Sequence, residues 1–306
     1  MTVAPTTGRT PRFRIRRSSR MAILFLSPFF LLFFAFTISP IVYSAYLSVF
    51  SETTSGLGLG ATERTFVGVA NYARALQDST FLSGFVNIAL YCVIYIPTMI
   101  GLALVLALML DSAVARARGF FRLAFYMPNI VPGLIAAIIW VYLYTPGVSP
   151  LVDAFEMTGA NWSMSGQLAA LLSLSNISVW LHTGYNVILF YAALQAVPRE
   201  VLEAARVDGA GPIRTAFAIK AQMIRGAVSM ATLFTVVGAL QLFAEVLPLA
   251  NRATAIDSTW TPNMFIYQVA FERHDFGYAA ATAIVFAALI GAMSWTITRI
   301  ESKVKP

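Results

Sequence analysis

Two polar side chains stand four residues apart in an otherwise apolar stretch. Gln241 and Glu245 fall toward the end of the apolar run 227–249, and this spacing places both on one face of a helix. A carboxylate and an amide on one face can hydrogen-bond hydroxyl groups, including those of a sugar. Alternatively, Glu245 is neutral or paired within a helical bundle and contributes only to stability. Polar groups in apolar helices are candidates for function by default.

A second group of polar residues lies in the apolar run 167–194. His182, Tyr185 and Asn186 have three- and four-residue spacings, so they can share a helical face. Trp180 is close enough to offer the kind of aromatic surface on which carbohydrates stack. Hydrogen bonding between helices, with Trp180 as a packing residue, explains the same pattern equally well.

The composition identifies the class of protein. Hydrophobic residues make up 58% of the 306 residues, charged residues only 11%, and the mean hydropathy is +0.73. A soluble domain has about a quarter of its residues charged, so this composition predicts a membrane protein. The single cysteine, Cys92, lies in an apolar run, and His182 and His274 are far apart without ligand-like neighbours. We therefore expect no disulfide, no metal site and no cofactor bound by this chain.

Six apolar runs are long enough to cross a bilayer, which takes about 20 helical residues. They predict an all-α integral membrane protein with spanning helices at about 21–46, 85–110, 120–144, 167–194, 227–249 and 278–300. Pro128 and Pro132 in the third span are expected to be accommodated, because neighbouring helices can satisfy the freed carbonyls. Gly184 in the fourth is interpreted as a packing glycine. Residues 47–82, 145–166 and 250–277 are predicted to be polar loops.

The basic residues divide unequally between the two sides of these spans. The chain is expected to consist of a basic tail (1–20), a spanning domain (21–300) and a short tail (301–306). The first tail holds six arginines and no acid, which fits a topology signal better than a nucleic-acid-binding tail. The side that carries both tails holds 17 of the 21 lysines and arginines. Because positive loops stay in the cytoplasm, both termini are predicted to be cytoplasmic.

Residues 197–224, here called the knob, interrupt the apolar runs with an amphipathic pattern on that same side. Pro198 fits the first position of a helix. Asp208-Gly209 is expected to end this helix, because glycine readily adopts the left-handed conformation, and Pro212 to begin a second one. Two short helices joined by a glycine elbow predict a rigid surface for a soluble partner.

The knob carries the pattern of a known family. Glu203-Ala204-Ala205, Asp208-Gly209-Ala210 and Ile219 resemble the EAA loop of permease subunits of binding-protein-dependent ABC importers, most closely the sugar-importer (maltose-type) branch. Residues 66–72, FVGVANY, resemble the FVGLxNY segment that precedes the second helix of sugar permeases. Ala221 and Gln222 stand where the family pattern has leucine and proline, so the exit from the second helix need not follow the family geometry.

The resemblance implies a MetI-like bundle of six helices in the bacterial cytoplasmic (inner) membrane. It implies four partners: a second, related permease chain, two ATPase subunits that bind ATP and Mg and dock on the knob, and an extracytoplasmic solute-binding lipoprotein. It also implies a translocation cavity lined by the spans on either side of the knob, which would unite the two polar groups above. The expected solute is a sugar or oligosaccharide, with a polyol phosphate, amino acid or peptide as alternatives.

The sequence carries no catalytic motif of its own. It lacks a GxxxxGK[ST] phosphate loop, a GxSxG elbow and an HExxH helix, so ATP hydrolysis is assigned to another chain and the protein is not predicted to be an enzyme. The main alternative is an ion-coupled secondary transporter, which would use an intramembrane acid such as Glu245 together with an inverted repeat that we do not find. A membrane enzyme would need catalytic residues clustered at one membrane face, and none is recognised.

Overall fold

The computed structural model describes residues 18–54, 62–112, 116–157, 166–250 and 252–304. Five of the six arginines of the predicted N-terminal tail, and residues 158–165 of a predicted loop, lie outside this part of the chain. The elements are α1 (Ser18–Phe33), α2 (Ser39–Leu47), β1 (Phe50–Thr54), β2 (Thr62–Phe66), α3 (Ala70–Gln77), α4 (Ser79–Asp111), α5 (Arg118–Tyr126), α6 (Gly133–Leu143), α7 (Pro150–Glu156), α8 (Gln167–Gln195), α9 (Arg199–Val207), α10 (Pro212–Arg214), α11 (Ala221–Met223), α12 (Arg225–Leu240), α13 (Leu247–Ala250), α14 (Pro262–Tyr267) and α15 (Phe276–Val304). Short π or 3-10 segments are Phe34–Ile38, Met127–Ile130, Thr215–Lys220 and Gln268–Glu272.

Within the described ranges, four helical segments are long and apolar enough to cross a membrane as single units. They are Met21–Leu47, Ser79–Asp111, Gln167–Gln195 and Phe276–Arg299. They confirm the first, second, fourth and sixth predicted runs as helices, although the second begins at Ser79, before residue 85. Two bent pairs of helices bring the number of candidate spans to six if each pair counts as one. The fold is therefore mostly helical, with four to six candidate spans.

The prediction of the third span as one helix is wrong. Its two helical pieces, Arg118–Ile130 and Gly133–Leu143, are bent by 96° relative to each other. Val131 and Pro132 between them are extended, with ψ of 129° and 137°. Proline disfavours the helical conformation in the residue before it and has no N–H to donate. The helix therefore ends before Pro132 and a new helix begins after it, instead of one helix continuing through the proline.

The predicted boundary of the fifth span is also wrong. α12 ends at Leu240, and turns over residues 241–246 replace the expected helix up to residue 249. With 16 residues, α12 is about 24 Å long. This is less than the hydrocarbon thickness of about 30 Å. After α12 the chain continues as turns into the short α13.

The predicted polar loops are more structured than expected. Residues 50–54 and 62–66 form an antiparallel hairpin in which Phe50 pairs with Phe66. In the segment 250–277, which contains α14, the side chains of Ile256, Trp260 and Phe265 are buried. Part of that segment therefore packs into the protein, while residues 271–274 are exposed.

The core lies between α4 and α8, which pack along their length. Met99 of α4 and Leu174 and Ile177 of α8 are buried there. The interpretation of Gly184 as a packing glycine is confirmed, because a Cβ at this position would overlap the carbonyl oxygen of Phe125. The α5 backbone therefore rests directly on α8.

We expect Gly184→Ala to destabilise the protein, because the added methyl group pushes α5 away from α8. Overpacking of this kind costs about 1–3 kcal/mol. A lower melting temperature of the detergent-purified protein is the expected readout. Gly101→Ala in α4 is the matched control, since a Cβ there meets no atom within 4 Å. Equal melting temperatures for the two variants would contradict the close contact.

Candidate functional site

The knob has the predicted glycine elbow. At the end of α9 the Ala210 N–H donates to the Ala205 carbonyl at 2.9 Å, and the Gly209 N–H donates to the Arg206 carbonyl at 3.1 Å. Gly209 adopts φ +76°. These two bonds and the left-handed glycine form a Schellman motif, which satisfies the last carbonyls of the helix. The prediction that α9 ends at Asp208-Gly209 is confirmed.

The second half of the knob begins where expected and is tied to the first. Pro212 is the first helical residue after Gly211, and the Thr215 N–H donates to the Gly211 carbonyl at 2.9 Å. The Thr215 hydroxyl reaches back across the elbow to the Ala210 carbonyl at 3.4 Å. Hydrogen bonds on both sides of the turn hold the two short helices in one arrangement.

The knob presents apolar side chains to its surroundings. Val207 is 88% exposed and Ile213 is 77% exposed, and Phe217 is half-exposed. Of the predicted coupling residues, Glu203, Ala204, Asp208 and Gly209 are exposed, Ala210 and Ile219 are half-buried, and Ala205 is buried. Large exposed apolar side chains on an element outside the long apolar helices are typical of a contact surface.

The chain leaves the knob through a sharp bend without the proline of the family pattern. Ala221 and Gln222 lie in the last helical turn, which ends at Met223. The following helix, α12, is turned by 67° relative to the helical segment Pro212–Met223. Ile224 at the bend is buried, so packing of this side chain fixes the exit.

An acid at the end of α4 fastens the knob to the bundle. The Asp111 carboxylate accepts a hydrogen bond from Gln195 Nε2 at 2.6 Å and one from Lys220 Nζ. The side chains of Asp111 and Lys220 are only 12% and 17% exposed. We call these three residues the Asp111 junction, since they join the ends of α4 and α8 to the second half of the knob. A polar cleft of about 450 Å³ opens beside it, lined in part by Glu203.

This junction was not predicted from the sequence. Its one signal is that a carboxylate is unfavourable at a helix C-terminus, where the dipole is negative. Asp111 occupies that position in α4 and therefore required a cationic or donor partner.

A polar cavity lies among α4, α8 and the end of α12, with a volume of about 150 Å³. It is lined by Tyr91, Tyr95, Ser178, His182, Thr235, Gly238, Ala239, Gln241, Leu242 and Glu245. No group of three His, Cys, Asp or Glu side chains suited to a metal occurs among the described residues. The lining offers hydroxyl, imidazole, amide and carboxyl groups that can form hydrogen bonds.

The walls of the polar cavity have a defined geometry. The rings of Tyr91 and Tyr95 stack with centroids 5.0 Å apart. His182 Nδ1 donates to the Ser178 carbonyl at 3.0 Å, so Nε2 is the ring nitrogen left for a solute or water. The Glu245 side chain lies against Gly133, the first residue of α6, and a Cβ there would come within 2.9 Å of the Glu245 Cδ. The absence of a side chain at Gly133 therefore leaves room for this carboxylate.

The cavity unites part of each polar group that the sequence singled out. His182, Gln241 and Glu245 line it together. The reason given for pairing Gln241 with Glu245 is wrong, however, because both lie in turns after α12 and share no helical face. The turns bring them to the cavity instead.

The other three candidates lie away from the cavity lining. Trp180 packs edge-on against Trp140, with centroids 5.9 Å apart, and Tyr185 is 53% exposed. Asn186 is buried, and its Nδ2 donates to the sulfur of Met99 at 3.1 Å. The aromatic wall is supplied by Tyr91 and Tyr95, whose four-residue spacing in the second predicted span was the available signal.

Residues 99–306 match the family model described as "binding-protein-dependent transport system inner membrane component". The chain is 30% identical over 290 residues to the probable ABC transporter permease protein YurN of Bacillus subtilis, covering 92% of this chain and 95% of that protein. It is 31% identical over 242 residues to the diacetylchitobiose uptake system permease protein NgcF of Streptomyces coelicolor, covering 73% and 67%. It is 29% identical over 246 residues to the sn-glycerol-3-phosphate transport system permease protein UgpA of Yersinia pseudotuberculosis, covering 78% and 80%.

The same fold occurs in crystal structures of a bacterial ABC transporter for the acidic polysaccharide alginate. In one, the similar chain superposes with a TM-score of 0.80 at 16% identity, covering 95% of this chain and 98% of that one. In the other, a complex with an alginate pentasaccharide-bound periplasmic protein, the TM-score is 0.82 at 15% identity, covering 95% and 97%. The chain belongs to the family of binding-protein-dependent transport system inner membrane components.

Proposed function

We propose that this chain is one permease subunit of an ABC importer that carries a sugar or oligosaccharide across a bacterial cytoplasmic membrane. The observation that carries the proposal is the knob, a hydrogen-bonded pair of helices with apolar side chains exposed. The names of two relatives support a carbohydrate solute, since NgcF is named for diacetylchitobiose and the structural neighbour imports alginate.

The knob is proposed to transmit the movement of an ATPase subunit. The surface formed by Glu203, Ala204, Ala205, Asp208, Gly209, Ala210 and Ile219 docks in a groove of that subunit. Two such subunits bind ATP and Mg and close on each other, and each groove carries its permease knob as a rigid body. The two permease bundles then switch from inward- to outward-facing, and hydrolysis resets them.

We propose that the bent pair Arg118–Ile130 and Gly133–Leu143 forms the third span and that α12 forms the fifth, which completes a set of six spans with both termini in the cytoplasm. Segments 47–82, 145–166 and 250–277 then face outward, where an extracytoplasmic binding protein delivers the solute. The complex of the structural neighbour with its periplasmic protein supports this partner. The unequal distribution of lysine and arginine supports the orientation.

The polar cavity is proposed as this chain's part of the translocation pathway. His182, Gln241 and Glu245 are assigned to solute contact, together with Tyr91 and Tyr95, whereas Trp180, Tyr185 and Asn186 are assigned to packing or to other surfaces. The cavity of about 150 Å³ is smaller than pockets for whole ligands, which measure about 300–1,000 Å³. A second permease chain therefore has to supply the rest of the pathway.

Purification of this chain in mild detergent from its native membrane, followed by mass identification of the proteins that accompany it, tests the assignment. We expect an ATPase with a phosphate-binding loop, a second permease with an EAA loop and a solute-binding lipoprotein. Recovery of the chain alone, with uptake that collapses with the ion gradients, would favour a secondary transporter instead.

A substitution on the knob sharpens this test. We expect Ile213→Asp to lower ATPase recovery by about tenfold, because burying a carboxylate in an apolar contact is costly. The second permease should still accompany the variant, since Ile213 is 77% exposed and packs little within the chain. Leu76→Asp, at a 58% exposed apolar position of α3 outside the predicted spans, is the matched control. Normal ATPase recovery with Ile213→Asp would place the docking surface elsewhere.

A polyol phosphate is the second candidate solute, favoured by the 29% identity to a permease named for sn-glycerol 3-phosphate. It differs from a neutral sugar in charge, so the charges along the pathway decide between them.

A further inference from the structure

The lining of the polar cavity contains an acid but no fixed positive charge. Among its ten lining residues, Glu245 is the one carboxylic acid, and none is lysine or arginine. The other polar groups are neutral hydroxyls, an amide and an imidazole whose Nδ1 is already engaged with the Ser178 carbonyl. A phosphate or uronate in this cavity would meet a carboxylate and no fixed positive charge.

The Glu245 carboxyl group lies beside the start of a helix. Its side chain lies against Gly133, which begins the 11-residue helix α6. The N-terminus of a helix carries a partial positive charge that stabilises a nearby carboxylate. The break in the third span creates this N-terminus, and it lies next to the one acid of the cavity lining.

The walls around the cavity strengthen the effect of that charge. Tyr91, Tyr95 and Leu242 are buried in the largest apolar cluster of the protein. Charges interact more strongly where water and mobile ions are excluded. Repulsion of an anion by Glu245 is therefore screened less here than at the surface.

We propose that Glu245 makes the polar cavity a charge filter that admits neutral and cationic saccharides and rejects phosphorylated or uronic ones. The inference rests on the proposed function, because it takes the cavity to be part of a saccharide pathway. The solutes named for UgpA and for the alginate importer are anionic, and the filter would reject them. The solute expected for this chain is neutral, as diacetylchitobiose is. A carboxylate accepts hydrogen bonds from sugar hydroxyls, and a phenol both accepts and donates them, so a neutral saccharide needs no ionic partner here.

Saturation-transfer NMR on the detergent-purified importer, without its binding protein, tests the filter directly. The probes are diacetylchitobiose (neutral), the glucosamine disaccharide (cationic) and digalacturonate (anionic), each at the same millimolar concentration. With the wild-type chain we expect the neutral and cationic probes to bind and the anionic probe to bind at least about tenfold more weakly.

Variants assign the discrimination to Glu245. Glu245→Gln should admit digalacturonate and weaken the glucosamine disaccharide, whereas Glu245→Asp, which keeps the charge, should retain the wild-type order. Gln241→Glu adds a second carboxylate to the lining and should exclude digalacturonate still further. Because the last two variants preserve or add charge, a folding defect in Glu245→Gln alone cannot reproduce the whole series.

Two outcomes overturn the filter. One is equal binding of the anionic and neutral probes to the wild-type importer, and the other is an unchanged order in Glu245→Gln. Either result leaves the importer assignment intact if the ATPase and second permease accompany the chain. Absence of binding by all three probes also rejects the filter, and absence of an accompanying ATPase rejects the proposed function itself.

Discussion

Gly209→Pro should abolish uptake by the assembled importer while leaving the chain inserted in the membrane. Gly209 holds φ +76°, whereas proline is restricted to about −65°. Proline also removes the N–H that bonds the Arg206 carbonyl at 3.1 Å. The elbow then has to open, so the exposed side chains of α9 and of the second half of the knob no longer form one surface.

The measurement is uptake of radiolabelled solute in cells, together with ATPase activity of the purified complex. We expect uptake to fall by more than tenfold, with membrane abundance unchanged. Gly209→Asn is the matched control, because asparagine tolerates the left-handed conformation better than other non-glycine residues, and it should retain much of the uptake. Similar uptake in the proline variant and the wild type would exclude a coupling role for the elbow.

Loss of the Asp111 junction should disconnect the knob from the bundle. Asp111→Ala leaves the Lys220 ammonium largely buried without its carboxylate, and also removes the acceptor for Gln195. Breaking such a pair from one side costs on the order of 3 kcal/mol. We expect ATP hydrolysis to continue at its basal rate while solute-stimulated hydrolysis and uptake fall by about tenfold.

A charge exchange distinguishes coupling from misfolding. Asp111→Lys and Lys220→Asp should each impair uptake, because each places two like charges together. The double variant restores an opposite pair, and Gln195 can turn its amide oxygen toward the new ammonium. Recovery of uptake in the double variant supports the junction, whereas three equally defective variants would show that the pair only maintains the fold.

The parts of the structure that follow local rules were predictable from sequence. The glycine elbow is one, because Gly209 and Pro212 each impose a backbone conformation on their own position. The four long apolar helices are another, since length and composition decide them. The predicted contact surface of the knob remains a prediction that binding experiments have to test.

The parts that depend on distant neighbours were not predictable. Asp111 and Lys220 are 109 positions apart, and local pattern cannot pair them. The prediction that the third span continues as one helix through Pro132 failed, because packing against neighbouring helices determines whether a helix breaks at a proline. Glu245 was expected near other polar side chains because it was assigned to a helical face. It lies in the cavity lining, but the turns after α12 bring it there.

The helix α8 contacts both the Asp111 junction and the polar cavity, so a movement at one affects the other. It is one uninterrupted helix of 29 residues, with Gln195 held at the Asp111 junction and His182 in the wall of the polar cavity. These two positions are separated by about 20 Å along the helix axis. A sideways displacement of roughly 3 Å at the junction therefore tilts the helix by about 10° at the cavity. Under the proposed function, α8 would therefore act as a lever arm that converts a translation of the knob into a rotation beside the polar cavity.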